Sequence, residues 1–331
     1  MNLRAPSIRQ DDCDELAALC KAGGDPLRLN VLRALTNDSF GVLELAQIFG
    51  IGQSGMSHHL KVLAQADLVA TRREGNAIFY RRALPHTELP GGKLHAALLE
   101  EVDNLTLPAD VQMRITQVHK QREAASQDFF SRVAEKFRAQ QDLIAGLAQY
   151  RESVVALLDK LSFGSAATAI EVGPGDGAFL PELARRFTQV TALDNSQAML
   201  ELARQVCERD SLTNVSLQLA DALNGVSLKA DCVVLNMVLH HFAAPADALK
   251  HMANLLQPGG SLLVTDLCSH NQSWAKEACG DLWLGFEQDD LARWATAAGL
   301  VPGESLYVGL RNGFQIQVRH FQRSAGDTHH R

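Results

Sequence analysis

The sequence predicts two domains that mix helices and strands, a small α+β domain and a larger α/β domain, joined by a helical connector. Three observations carry this prediction. Short helical patterns and a pair of strand patterns occupy residues 1–88, and residues 89–150 are helical and rich in charge. From residue 151 to 323, apolar strand-like runs alternate with helical stretches, which is typical of a parallel sheet covered on both faces. A chain of 331 residues is long enough for two buried cores.

Composition and charge exclude several classes of protein. The net charge of −7 argues against a chain that coats nucleic acid or a membrane surface. Six scattered cysteines without a CxxC pair indicate reduced thiols and a cytoplasmic protein. The start of the chain lacks the apolar region of a signal peptide, and no apolar run is long enough to cross a bilayer, so we expect no membrane partner. The polar residues 324–331 are predicted to be a disordered tail.

The small domain is predicted to contain short helices followed by a hairpin. A first helix over Cys13–Gly24 ends at glycines, and Asp25 is placed to cap the second helix. Further amphipathic helices are predicted over Gly41–Gly50 and Ser54–Ala66. The segment LVATRREGNAIFYRRAL alternates on both sides of Gly75–Asn76, which favours a hairpin.

This order of elements predicts a winged helix-turn-helix. Gly41–Gly50 is the supporting helix, and QSGMSHHLKVL is the recognition helix. In the recognition helix, Leu60 and Leu63 are expected to face inward, and the polar residues near its start are expected to be exposed. The segment Gly50–Pro85 carries five basic and two acidic residues, a local charge of +3. The predicted base contacts lie on the helix, and the arginines of the hairpin are expected near phosphates. The predicted DNA-binding residues are Gln53, Ser54, Ser57, His58, Lys61, Arg72, Arg73 and Arg81, with Arg82 beside them.

The adjacent histidines of the recognition helix do not predict a metal site. Neighbours on an α-helix point about 100° apart, whereas helical metal pairs are spaced three or four residues apart. His58 is therefore expected to contact DNA or to lie on a solvated surface, and His59 is expected to pack.

Three segments of this domain resemble the ArsR/SmtB family of winged-helix repressors over residues 13–84. They are LCKAGGDPLRLNVLRAL, LELAQIFGIGQSGMSHHLKVLAQADLV and REGNAIFYR. The resemblance implies a homodimer that binds double-stranded, palindromic operator DNA. The family's metal sensors use a Cys pair in the supporting helix or Asp/His sets in the last helix, and this chain has neither. We therefore expect no metal site.

The larger domain is predicted to be a Rossmann-like α/β fold. The strand-like runs cover 168–172, 190–194, 215–220, 231–238 and 261–267. The final two runs, 306–310 and 314–321, are separated by three residues, which permits only an antiparallel hairpin.

A glycine-rich turn in this domain predicts a nucleoside pocket. IEVGPGDG follows a strand and opens a helix, so its backbone amides can approach a ligand closely. Its glycines, Gly173, Gly175 and Gly177, do not match the G-x-G-x-x-G spacing of dinucleotide-binding folds. Asp194 ends the next strand, where a carboxylate can accept hydrogen bonds from both ribose hydroxyls.

This turn resembles that of the class I S-adenosylmethionine-dependent methyltransferases, over roughly residues 150–323. ADCVVLNMVLHHF, LLQPGGSLLV and the terminal hairpin agree with it. The resemblance implies a mostly parallel seven-stranded sheet and S-adenosylmethionine, or S-adenosylhomocysteine, as ligand. The implied cofactor-binding residues are Glu171, Gly173 and Gly175 at the methionine end, Gly177 in the same turn, Asp194 at the ribose, Met199, Asp221 and Ala222 at the adenine, and Asn236 at the sulfonium.

The sequence assigns no catalytic residue, and His240 and His241 fit a pocket role and a packing role equally well. Two functions remain open. The first is a transcription regulator that binds an S-adenosyl nucleoside as effector, with a further role as methyl donor left open. The alternative is an active small-molecule methyltransferase that carries an ArsR-type domain for DNA binding or dimerisation. Arsenic methylation is disfavoured because Cys268 and Cys279 alone do not form the thiol set it needs.

Overall fold

A computed structural model of the chain describes residues 10–74, 77–133, 141, 143–272 and 274–325. Within these ranges, the side chains of residues 10–12, 73–74, 77, 131–133 and 276–277 are not described. The predicted turn at Gly75–Asn76 and most of the predicted tail lie outside the described residues. The chain divides into two compact units, Met1–Lys120 and Gln121–Arg331.

The first unit contains the predicted short helices and a small antiparallel sheet. Its helices are α1 (Gln10–Gly23), α2 (Pro26–Ala34), α3 (Val42–Phe49), α4 (Gln53–Gln65), α5 (Gly92–Asp103) and the start of α6 (Ala109–Val133). Its strands are β1 (Phe40–Gly41), β2 (Val69–Glu74) and β3 (Ala77–Arg82), in the order β1-β3-β2. The prediction of a helix-turn-helix followed by a two-stranded wing is confirmed.

Local signals in the sequence fix the boundaries of these helices. The Asp25 carboxylate caps α2 by accepting a hydrogen bond from the backbone N–H of Arg28 over 3.0 Å. Gly50 ends α3 with a φ of +65°, a left-handed conformation that glycine adopts at little cost.

Leu99 and Val102 of α5 are buried in the same core as α3 and α4, so the first helix of the predicted connector is part of this unit.

The second unit contains alternating strands and helices. Its further helices are α7 (Arg151–Lys160), α8 (Leu180–Ala184), α9 (Gln197–Arg209), α10 (Pro245–Leu255), α11 (Trp274–Cys279) and α12 (Gln288–Ala297), with 3₁₀ turns at Leu147–Gln149 and Leu239–His241. Its strands are β4 (Thr168–Val172), β5 (Gln189–Asp194), β6 (Val215–Leu219), β7 (Ala230–Asn236), β8 (Leu256–Leu267), β9 (Leu300–Gly309) and β10 (Gln315–Arg323).

The strands of this unit form one seven-stranded sheet in the order β6-β5-β4-β7-β8-β10-β9. The first five strands in this order pair in parallel, and β10 pairs antiparallel with both β8 and β9. Buried side chains cover both faces of the sheet, which explains why the central strands read as continuous apolar runs. The predicted fold is confirmed. The strand predicted over 261–267 begins earlier than expected, because β8 also includes the preceding PGG segment.

Among the described helices, none combines the length and the apolar character that a membrane span requires.

Candidate functional site

A deep cleft opens in the second unit at the carboxyl ends of β4, β5 and β7. Its volume is about 1180 Å³ including its open mouth. Parallel α/β sheets bind ligands at this edge, because the loops that follow the strands diverge there. Among the nine predicted cofactor residues, those that line the cleft are Glu171, Gly173, Gly175, Asp194, Met199, Asp221, Ala222 and Asn236.

The turn after β4 brings bare backbone to the wall of the cleft. Gly173 has a φ of +64° and Gly175 a φ of +58°, both in the left-handed region that favours glycine. A Cβ atom on Gly173 would lie 2.4 Å from Cγ2 of Val238, so the position has no room for a side chain. The amide of Gly173 donates to the carbonyl of Leu193 over 2.8 Å, which anchors the turn to β5.

Gly177 is not among the residues that line the cleft, and its predicted contact with the cofactor stays a prediction. It has a φ of +77°, and a Cβ atom there would lie 2.8 Å from Cα of Ala203 in α9. The third glycine is therefore needed because the turn packs closely against a helix, a role that sequence spacing does not separate from ligand contact.

Glu171 and Asn236 form a buried polar pair on the floor of the cleft. The side-chain amide of Asn236 donates to Oε1 of Glu171 over 3.1 Å. Oε2 of Glu171 and Oδ1 of Asn236 are buried and have no hydrogen-bond partner among the described residues. Burial raises the pKa of Glu171 to about 8, against the opposing effect of the Asn236 hydrogen bond. Two orphaned acceptors at this depth fit a ligand that brings hydrogen-bond donors and positive charge.

Asp194 and Asp221 place two carboxylates along the far side of the cleft. Oδ1 of Asp194 accepts a hydrogen bond from the amide of Ser196 over 2.8 Å, and burial raises the pKa of this carboxyl to about 6. Asp221 accepts from the amide of Leu223 over 2.9 Å. Met199 and Ala222 are buried beside these carboxylates and supply apolar surface. The arrangement offers acceptors for hydroxyls next to an apolar slot for a flat ring.

One helix contributes cleft residues that the sequence analysis assigned to the connector. Glu123, Ser126, Gln127 and Phe130 of α6 line the cleft, and Tyr150 lies beside them. The four α6 residues recur at helical spacing (i, i+3, i+4, i+7), a signal that was present in the sequence. Sequence analysis misses this face because it searches for apolar residues at helical spacing, whereas three of these four residues are polar.

Two adjacent histidines follow β7 and occupy different environments. His240 is buried, and its Nδ1 lies 2.8 Å from Oδ1 of Asp266. Burial opposes its charge, but Asp266 and Asp281 outweigh that effect and raise its pKa to about 9. His241 lines the cleft against Phe130, with ring centroids 4.7 Å apart. Burial and the neighbouring His240 lower the pKa of His241 well below its ordinary value.

In the first unit, the recognition helix α4 presents one polar face and one buried face. Met56, Leu60 and Leu63 are fully buried. The predicted DNA-contacting residues of α4 are all exposed and recur along one side of the helix: Gln53, Ser54, Ser57, His58 and Lys61. His59 is less exposed, and its Nδ1 lies 3.8 Å from Oδ1 of Asp25. The helix thus has the polar outer face that reading of the major groove requires.

The arginines of the wing separate into two groups. Arg72 of β2 and Arg81 of β3 are partly exposed on one face of the hairpin, where Arg81 pairs with Ala70. The side chain of Arg73 lies outside the described residues. Arg82 does not face solvent as expected, because it is buried and forms an ion pair with Asp103 of α5 over 2.6 Å. It holds the wing to the core of the unit.

Two domain families match this chain. The methyltransferase domain matches residues 118–302, and a helix-turn-helix domain matches residues 24–72. The chain is 39% identical over 80 residues to the biofilm growth-associated repressor of Xylella fastidiosa, which is 23% of this chain and 70% of that protein. It is 27% identical over 146 residues to EEF1A lysine methyltransferase 2 of Danio rerio, which is 40% of this chain and 60% of that protein. The chain thus spans less than two thirds of the length of that relative.

The fold of the second unit also resembles a solved structure. Magnesium protoporphyrin IX methyltransferase from Synechocystis PCC 6803, solved with bound S-adenosylhomocysteine, superposes with a TM-score of 0.50 at 18% identity, over 61% of this chain and 100% of that one. At this identity, the similarity concerns the fold alone.

Proposed function

Because the chain belongs to the methyltransferase-domain family, we propose that it is a DNA-binding transcription regulator whose methyltransferase domain binds an S-adenosyl nucleoside as effector. The main support for the ligand is the pair Glu171 and Asn236 on the floor of the cleft, where each residue has a buried acceptor oxygen without a hydrogen-bond partner among the described residues. The main support for DNA binding is the exposed polar face of α4. A homodimer on a palindromic operator and a cytoplasmic location belong to the same proposal.

The side chains that line the cleft match the chemical groups of S-adenosylmethionine and S-adenosylhomocysteine. The glycine turn and Glu171 would hold the methionine end, where the ammonium group supplies the donors and the charge that the buried acceptors lack. Asp194 would accept hydrogen bonds from the ribose hydroxyls. Met199, Asp221 and Ala222 would enclose the adenine, and Asn236 would face the sulfonium region.

The two nucleosides differ by one charge, which gives the cleft a means to tell them apart. S-adenosylmethionine has a sulfonium cation, whereas S-adenosylhomocysteine has a neutral thioether. A buried carboxyl such as Glu171 interacts differently with the two ligands, because charges act more strongly where water is excluded. A regulator built on this cleft would respond to the ratio of the two nucleosides.

Helix α6 supplies a covalent route from ligand to DNA-binding unit. It begins at Ala109 in the first unit, and its residues Gln127 and Phe130 line the cleft in the second. A ligand that contacts these side chains would bias the conformation of this helix and thereby the equilibrium between DNA-competent and incompetent dimers. The repressor of Xylella fastidiosa, which resembles the first unit, supports a regulatory role for that unit.

The decisive experiment measures operator affinity with and without ligand. Operator DNA is first obtained by selection from random sequence with the full-length protein. Fluorescence anisotropy then gives the dissociation constant alone and at saturating concentrations of each nucleoside. We expect at least one nucleoside to shift the constant by about 5-fold or more, the lower range of allosteric coupling. The variant Gly173→Asp, in which the cleft is obstructed, should bind the operator and show no shift.

A parallel assay separates regulation from catalysis. The protein is incubated with methyl-labelled S-adenosylmethionine and a broad panel of small-molecule acceptors. An operator affinity that neither nucleoside changes, together with turnover of an acceptor, would replace the proposed function by that of a small-molecule methyltransferase.

A further inference from the structure

A second cluster of ionisable side chains lies beside the cleft and takes no part in the proposed nucleoside site. His240, His241 and Asp281 each offer one ligating atom, and these atoms all lie within 4.8 Å of one another. Nε2 of His240 is 3.6 Å from Oδ1 of Asp281. Two ligands of a tetrahedral zinc ion, each about 2.0–2.1 Å from the metal, are about 3.3 Å apart. The His240–Asp281 pair therefore has nearly the spacing that a shared ion imposes.

The hydrogen bonds behind the two histidines have the pattern of metal-bound imidazoles. Nδ1 of His240 lies 2.8 Å from the carboxylate of Asp266, which is fully buried. Nδ1 of His241 lies 3.2 Å from the carbonyl oxygen of Gly280. A histidine that binds a metal usually donates its other ring N–H to a carboxylate or a backbone carbonyl, which fixes the tautomer and aims the free nitrogen. Both rings are thus held with Nε2 available for an ion.

The backbone around the cluster is also fixed. The 3₁₀ turn Leu239–His241 brings the two imidazoles together, with ring centroids 4.0 Å apart. The amides of Leu282 and Trp283 both donate to the carbonyl of His240 over 3.1 Å, which ties the Asp281 segment to this turn. Gly280 has a φ of +75°, and a Cβ atom there would lie 2.4 Å from the ring of Phe129. The ligand set is therefore assembled by tertiary packing around a glycine.

A small chamber beside the cluster shares part of its lining with the cleft. It is lined by His240, His241 and Asp281 together with Cys279 and Met237. His241, Met237 and Gln141 line both the chamber and the cleft.

We propose that His240, His241 and Asp281 form a binding site for a divalent transition metal of the zinc class. Two imidazole nitrogens and one carboxylate, with a fourth position left to water or an external ligand, are the protein ligands of catalytic rather than structural zinc sites. Asp266 and the carbonyl of Gly280 orient the two imidazoles from behind. The proposal departs from the sequence expectation of no metal site, and it holds whether the chain is a regulator or an enzyme.

Cobalt(II) provides a direct test, because it replaces zinc and reports its coordination by visible absorption. The full-length, untagged protein is treated with chelator and titrated with Co²⁺ alone. We expect a single site with the absorption bands of a four- or five-coordinate ion, which Zn²⁺ then abolishes. Asp281→Asn and His241→Gln should each weaken binding at least tenfold. Asp266→Asn should weaken it by about 10- to 100-fold, as loss of the groups behind metal-bound histidines does elsewhere.

Controls separate the cluster from other histidines. His251→Gln, which changes an exposed histidine of α10, and a variant without His329 and His330 should both keep the spectrum. An unchanged circular dichroism spectrum and a cooperative urea unfolding transition show that a variant is folded. If Asp281→Asn fails to fold, the His241→Gln result decides. The proposal would be wrong if the protein gave no stoichiometric cobalt spectrum, or if the folded cluster variants kept the spectrum unchanged. His240 would then be a buried imidazolium between two carboxylates.

Discussion

Asn236 donates a hydrogen bond to one carboxylate oxygen of Glu171 over 3.1 Å, while the second oxygen of Glu171 is buried and has no partner among the described residues. Asn236 ends β7, Glu171 is the penultimate residue of the neighbouring parallel strand β4, and the two side chains meet at the floor of the cleft. Burial raises the pKa of the Glu171 carboxyl to about 8. At neutral pH the ligand-free protein therefore keeps a proton there that a cationic ligand would displace.

Binding of S-adenosylhomocysteine is expected to release this proton. The ammonium group favours the ionised form of Glu171, so at pH 7 binding should release about one proton, and affinity should rise with pH up to about 8 and then level off. Calorimetry at pH 7 in two buffers of different ionisation enthalpy measures the release. Glu171→Gln should bind more weakly and release no proton. Equal proton release by this variant and the wild type would place the titrating group elsewhere.

The ribose contact predicts a second pH dependence of the same sign, at a lower pH. Burial raises the pKa of Asp194 to about 6, and only the ionised carboxylate accepts hydrogen bonds from both ribose hydroxyls. Affinity for adenosine, which has the ribose but no ammonium group, should fall as pH drops through about 6, by up to about tenfold for each pH unit below it. Competition binding measures this profile. Asp194→Asn should bind weakly, with a flat profile over the titration range of the lost carboxyl, about pH 5 to 7.

Gly173→Ala should impair nucleoside binding through a steric clash as well as backbone strain. Gly299→Ala is the matched control, because Gly299 has a φ of +78° but no atom within 4 Å of the added Cβ. The control should lose only about 1–2 kcal/mol of unfolding free energy, the cost of a left-handed backbone. Gly173→Ala should lose more stability and at least tenfold in affinity.

A second substitution tests the origin of that clash. Because the added Cβ would meet Cγ2 of Val238 at 2.4 Å, Val238→Ala should restore part of the loss in a double variant with Gly173→Ala. Strictly additive effects in urea unfolding and calorimetry would show that backbone strain alone is responsible.

Two residues on the exposed face of α4 should affect operator binding in different ways. Lys61→Ala should weaken binding to all sequences and reduce the slope of affinity against salt by about one counterion, as loss of a phosphate contact does. His58→Ala should reduce discrimination between operator and random DNA. His86→Ala, which changes an exposed histidine outside α4, is the control. Undiminished operator affinity and specificity in both α4 variants would show that this face does not read DNA.

Arg82→Ala should destabilise the first unit without acting on DNA directly. The side chain is buried, and its loss removes the shortest ion pair of Asp103 and a donor to the carbonyl of Leu99, while the Thr36 hydroxyl still donates to Asp103. Since Asp103 is partly exposed, we expect a loss of about 1–3 kcal/mol rather than the larger cost of a fully buried pair. Urea unfolding measures the loss. The exposed Lys61→Ala variant should unfold like the wild type, so equal stability of the two variants would contradict the structural role of Arg82.

The sequence by itself determined which elements form and in which order. Periodicity distinguished the helices from the strands, and the three residues between β9 and β10 allowed only an antiparallel pair. The glycine-rich turn after β4 and Asp194 at the end of β5 predicted a nucleoside pocket, because parallel strands present their carboxyl ends at one edge of a sheet, whereas Glu171 and Asn236 entered only through the family resemblance. These features depend on local spacing or on a rule of sheet topology, so they can be read without coordinates.

Only the tertiary structure decided which side chains approach one another from distant parts of the chain. The ion pair of Arg82 with Asp103 and the close approach of α9 to Gly177 both join segments that are far apart in the chain, so neither contact can be read from local spacing. The cluster of His240 and Asp281 is hidden for the same reason. The spacing within one helix or strand fixes local neighbours, whereas contacts between remote segments depend on how the whole core packs, which a single sequence does not encode in any short pattern.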